Sequence, residues 1–149
     1  MKKMNNKGFS LVELIVVIAI MGVLMVVLAP QYLRYVEKSR LQKDNSAIAE
    51  VAENIKIALA EQQVYEKVSS GTTVSVTSSG VTTSAPTELK TELTNTIGSL
   101  TDVKLTSNAY KGATVTLTIT VDSTTNNTFV VTGTGLILSV GGSATSTTF

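Results

Sequence analysis

Apolar residues run almost without interruption from Leu14 to Ala29, and no charge appears between Glu13 and Arg34. At about 1.5 Å of rise per residue, the charge-free stretch 14–33 makes a helix of roughly 30 Å, the thickness of a bilayer core. Past Pro30 the pattern changes. Ala47, Val51, Ile55, Ala58 and Gln62, with Ile48, Ala52 and Leu59, fall at helical spacing, while Glu50, Glu53, Lys56 and Glu61 largely occupy other faces. Read continuously, the two patterns predict one helix from about Ser10 to about Lys67, roughly 85 Å long. Its first half is apolar all round, its second half on one side only.

From Ser69 onward serine, threonine and turn residues dominate. Ser69-Ser70-Gly71 ends the helix, Thr72 to Thr77 alternates as a short strand, and Ser78-Ser79-Gly80 turns the chain. Leu89, Leu93 and Ile97 at four-residue spacing predict a short helix, entered through Pro86 and closed by Gly98. The clearest strand is Ala113 to Val121, where odd positions are apolar and even ones are all threonine. Asp122 to Asn127 forms a polar hairpin loop, Thr128 to Thr132 returns, and Gly133-Thr134-Gly135 turns into Leu136 to Val140. Val103 to Thr106 adds an edge. The expected class is α+β: a long N-terminal helix whose amphipathic half packs on an antiparallel sheet of about four strands.

One carboxylate, Glu13, sits at the mouth of the apolar run. In lipid it costs about 2.5 to 3.5 kcal/mol at the bilayer centre and less near the interface, so it needs a partner. The preceding segment, Met1 to Gly8, carries Lys2, Lys3 and Lys7 and ends in a glycine, which lets a protease approach the backbone closely. A cut after Gly8 exposes an α-amine on Phe9, with a pKa of roughly 7.7 to 8, four residues from Glu13. Amine and carboxylate can pair within one chain or between two chains stacked in register.

Gly8-Phe9-Ser10-Leu11-Val12-Glu13, with a short lysine-containing leader before it and an apolar helix after it, resembles the class III signal of type IV prepilins and pseudopilins. The resemblance implies cleavage by a membrane peptidase between Gly8 and Phe9 and methylation of Phe9 by the same enzyme. It also implies a filament-assembly role for Glu13, and helix loosening at Gly22 and Pro30. Further implied are a homopolymer, export through an assembly platform with its ATPase, and a single-pass precursor with its N-terminus in the cytoplasm that becomes an extracellular pilus. The division expected is a leader at 1–8, a membrane and filament-core helix at 9–33, and a head at 34–149. Motif similarity is dense from Lys7 to about Tyr35; beyond that only the architecture compares. Many pilins of Gram-negative bacteria close their C-terminal region with a cysteine pair, and this chain has no cysteine.

An ordinary secretory signal would cut near Val27-Leu28-Ala29, which Pro30 disfavours directly after the site. A simple uncleaved anchor leaves Gly8 and Glu13 without a reason. The orientation rests mainly on the leader, because Arg34, Lys38, Arg40 and Lys43 lie just past the other end of the apolar run. The formal charge is +1, and loss of the three leader lysines gives −2, so no basic surplus points to nucleic acid. With no histidine, no cysteine, no phosphate-binding glycine loop and no recognisable carboxylate pair, neither enzyme, cofactor nor metal is expected. The loop Asp122 to Asn127 has one carboxylate and reads as a hairpin rather than a calcium site, and its threonine neighbours as a solvated sheet face. Tyr32 and Tyr35 read as interfacial anchors. The expected role is a structural pilus subunit. The alternatives are a pseudopilin of a secretion or competence machine, and a monomeric membrane-anchored binding domain.

Overall fold

A computed structural model describes residues 9–122, 128–139 and 142–149. The helix α1 spans Leu11–Leu59 and is followed by a four-residue helix, α2, at Gln62–Tyr65. Strands β1 (Thr72–Thr77) and β2 (Gly80–Thr83) precede the helix α3 (Thr87–Ile97). A 3₁₀ turn at Asn108–Tyr110 leads into β3 (Val115–Asp122), β4 (Thr128–Leu136) and β5 (Thr145–Thr148). The chain divides into two compact units, one ending at Val36 and one running from Glu37 to Phe149. The second is the head, and its five strands form one antiparallel sheet in the order β2-β1-β3-β4-β5.

The head core forms where two periodicities meet. Ile48, Val51, Ala52, Ile55, Ala58 and Leu59 of α1 are buried, as the amphipathic stripe requires, in one cluster with Val74 and Val76 of β1 and Val115, Leu117 and Ile119 of β3. Register carries this face across the sheet, with Val74 opposite Leu117 and Ile119 opposite Val131. Leu89 and Leu93 of α3 complete the cluster, so the short helix stands where Pro86 and Gly98 place it.

The helical stripe stops sooner than its pattern suggests. Gln62 is exposed and α1 ends at Leu59, because Glu61 is extended (φ −75°, ψ 124°). At about 100° per residue, a continued helix would aim Val64 about 180° away from Ile55, into water. The break instead buries Val64 and Val68.

The sheet also departs from expectation in four places. β2, unforeseen, returns from a two-residue turn in which the Thr77 hydroxyl accepts from the Ser79 amide at 3.2 Å and donates to the Gly80 carbonyl at 3.0 Å. Val103 to Thr106 is not a strand: only Leu105 is anchored, its amide on the Thr77 carbonyl, while the next two amides are taken by a carboxylate described below. Gly133-Thr134-Gly135 does not turn the chain, since β4 runs through it. A Cβ on Gly133 would come within 2.6 Å of the Phe149 ring, so that glycine makes room for packing. Gly135 (φ +85°) forms the irregularity between Thr134 and Leu136, and a Cβ there would lie 2.7 Å from the Thr114 carbonyl. Leu136 closes β4 and residues 137–139 are not strand, while Val140 lies outside the described residues. The edge is instead β5, four exposed hydroxyl residues with no apolar alternation to announce them.

Candidate assembly site

Every large apolar side chain from Phe9 to Leu33 is at least 41% exposed. Among the described residues nothing encloses this cylinder, and its length and composition suffice to cross a membrane.

At its start the structure brings Glu13 to Ser10. The Leu14 amide donates to the Ser10 carbonyl, which makes Ser10 the N-cap, and the Ser10 amide donates to Glu13 Oε2 at 2.9 Å. This is half of a capping box, in which an N3 carboxylate satisfies the N-cap amide. The pattern Ser-x-x-Glu before an apolar run is the sequence signature of this cap. The carboxylate is exposed, and its Oε1 has no hydrogen-bond partner among the described residues. Phe9 lies next to the cap, exposed and not joined to Glu13 by any hydrogen bond or ion pair among the described residues. Gly8 lies outside the described residues, as do Ser123 to Asn127 of the polar loop.

Helix α1 is unbroken through Gly22 and Pro30. A Cβ on Gly22 would meet nothing within 4 Å, so its own chain does not demand a glycine there. Pro30 supplies no amide, and the Val26 carbonyl loses its intrahelical donor. Tyr32 and Tyr35 are exposed beyond it.

A second polar group, within the head, was not foreseen. Asp44, buried to 1% exposure, accepts from the Thr106 amide (2.8 Å), the Ser107 amide (2.7 Å) and the Thr106 hydroxyl (3.1 Å). Two turns earlier, Glu37 accepts from the Asn108 amide at 2.6 Å and the Ala109 amide at 3.3 Å. The Tyr110 hydroxyl donates to Asn45 Oδ1 (2.6 Å) and accepts from the Ile137 amide (2.8 Å), while Asn45 donates to the Ile137 carbonyl (3.0 Å). Three polar residues of α1 thus clamp the strandless 106–110 segment and the exit from β4. The sequence offered only an acid, an acid and an amide among basic residues, whose partners in these bonds lie 62 to 92 positions away.

Burial pushes the Tyr110 hydroxyl above its ordinary pKa of 10.0; the Asp44 charge adds to this and the Ile137 amide opposes it. Because the folded state holds the proton more tightly than the unfolded one, this residue's contribution is complete below pH 10 and is lost as pH rises through the raised value. Tyr110→Phe is expected to cost about 1 to 3 kcal/mol at pH 8, since Asn45 Oδ1 and the Ile137 amide lose their partner. Denaturant titrations between about pH 8 and 11 should show that cost shrinking above pH 10; a gap independent of pH would contradict the assignment.

An exposed apolar helix long enough to cross a membrane, one capping carboxylate and a helix-on-sheet head are the features that the resemblance to prepilins implies. Residues 3–29 match the family described as the prokaryotic N-terminal methylation motif. The chain is 35% identical over 78 residues to prepilin peptidase-dependent protein A of Clostridium perfringens, covering 52% of this chain and 54% of that one. It is 34% identical over 59 residues to the type IV major fimbrial protein FimA of Dichelobacter nodosus, covering 40% of this chain and 38% of that one. The matched segment thus spans about half the length of the first relative and less of the second. No solved structure matches. These matches lie in part of the chain, the motif at its N-terminal end, and support a relation to the type IV pilin family.

Proposed function

We propose that this chain is a prepilin that waits in the membrane with its N-terminus in the cytoplasm. It is cut between Gly8 and Phe9, methylated on Phe9, and polymerised through its apolar helix into a helical surface filament. The observation that carries this reading is the uncovered cylinder from Phe9 to Leu33, each large apolar side chain at least 41% exposed, with the Glu13 carboxylate at its mouth. Lipid accepts such a surface before assembly, and packed copies of the same helix accept it afterwards. In the filament, Glu13 of one copy meets the Phe9 amine of a neighbour, so that neither charge is buried alone. The pair acts mainly as a register device. Gly22 and Pro30 allow the helix to loosen when neighbours crowd it.

The partners of this reading are copies of the chain itself, a prepilin peptidase that also methylates, and an assembly platform with its ATPase. Mass spectrometry of the cellular protein is expected to show a chain beginning at a methylated Phe9. Residues 1–8 still attached would support a monomeric anchored domain instead. A pseudopilin would share every N-terminal feature, and electron microscopy of sheared surface material separates the two, since only a pilin gives long filaments containing this chain.

A further inference from the structure

We infer that α1 carries a second contact between copies, on the exposed face of the head, in which the Lys43 ammonium of one copy meets the Glu50 carboxylate of the next. The inference rests on the filament reading above and adds a contact to it.

The charges of this face are not distributed as the sequence suggests. Glu37 and Asp44, interspersed among the basic residues, are both turned to the 106–110 segment and engaged by its amides. Lys38, Arg40 and Lys43 are therefore left exposed with no ion-pair partner among the described residues. Further along, Glu53 is taken by Lys56 at 3.3 Å, while the exposed Glu50 carboxylate has no partner among the described residues. Lys43 and Glu50 are seven residues apart, on nearly one bearing of the helix and about 10.5 Å apart along its axis. Between them the exposed position nearest that bearing is Ser46, small enough for a second helix to come close.

Two parallel copies related by about a half-turn, so that these faces oppose, and displaced along the axis bring Lys43 of the upper one level with Glu50 of the lower one. The displacement needed is about 10.5 Å for seven residues. A single exposed ion pair holds copies together weakly. Its value lies in opposing the wrong displacement, which sets like charges against each other.

The chain has no cysteine, so the pair can be tested by cross-linking. In a Lys43→Cys, Glu50→Cys double variant, a disulfide within one copy is ruled out, because about 10.5 Å between Cα atoms exceeds the roughly 7 Å limit. Mild oxidation of assembled filaments is expected to give a ladder of linked copies on a non-reducing gel, and monomer alone would overturn the inference. Should the cysteine variant not assemble, the charge series decides. Lys43→Glu and Glu50→Lys are each expected to lower sheared filament yield about tenfold or more, and the combined swap to restore it. Unchanged yields, or loss without rescue, count against the contact. If Lys43→Glu instead only loosens the precursor from membranes, the face serves lipid phosphates and the inference falls. Absence of filaments from the unmodified chain would remove the filament reading itself.

Discussion

Glu13→Ala is expected to abolish filaments while leaving cleavage after Gly8 largely intact, and Glu13→Gln is expected to abolish them too. The second variant is the decisive one, because this residue has one job in the structure and a second in the proposed filament. Its Oε2 caps the Ser10 amide in the single chain, a contribution of about 1 kcal/mol that glutamine at the same position can also supply. Its charge, in the proposed filament, meets the neighbour's amine. Removing one member of a buried pair costs about 3 to 5 kcal/mol, and 3 kcal/mol corresponds to roughly two orders of magnitude in an equilibrium. Alanine loses both contributions and glutamine only the larger. Quantified sheared filaments, with the processed N-terminus checked by mass spectrometry, therefore separate the roles. Normal filaments from Glu13→Gln would reduce the carboxylate to a helix cap and sink the intermolecular pair.

Asp44→Ala is expected to destabilise the head by about 3 kcal/mol or more. Three donors, the amides of Thr106 and Ser107 and the Thr106 hydroxyl, would be left without an acceptor beside a buried cavity. No cation neutralises Asp44 among the described residues, so its charge is held by these donors alone. Asp44→Asn keeps the shape and one acceptor oxygen, and about half that loss is expected. Glu37→Ala, at a more exposed position, should cost about 1 kcal/mol or less. Denaturant unfolding of the detergent-solubilised protein measures all three. A loss below 1 kcal/mol for Asp44→Ala would mean that the 106–110 segment is held by Leu105 and Tyr110 packing, not by the carboxylate.

These two residues mark what a reader of the sequence could and could not see. The apolar run, the stripe on α1, the helix between Pro86 and Gly98 and the alternation of β3 are local periodicities, and each stands where its period places it, the stripe only as far as Leu59. The segment that matches the methylation motif was legible because leader, glycine and carboxylate lie within a few positions of one another. Asp44 was illegible in its role, since its partners are 62 and 63 residues away and nothing local separates a buried acid from a solvated one. The sheet edges failed for a related reason. β2 and β5 are short and rich in hydroxyl residues, so pairing with a neighbour strand, not an apolar pattern, makes them strands. Gly133 misled because a glycine that makes room for the Phe149 ring has the same letter as one that turns the chain.

The exposed half of α1 divides the chain into two regimes of mutational tolerance. A substitution at Ile55 or Leu117 is judged by the molecule itself, because those side chains are fully enclosed by it. One at Leu24 or Val26, 52% and 76% exposed, alters a surface that the described residues leave largely uncovered. Melting experiments on separated molecules would score such changes as silent, however severe their effect in the cell. In the proposed filament the sequence of that segment answers to what neighbouring copies accept, and assays in which many molecules meet are the ones that read it.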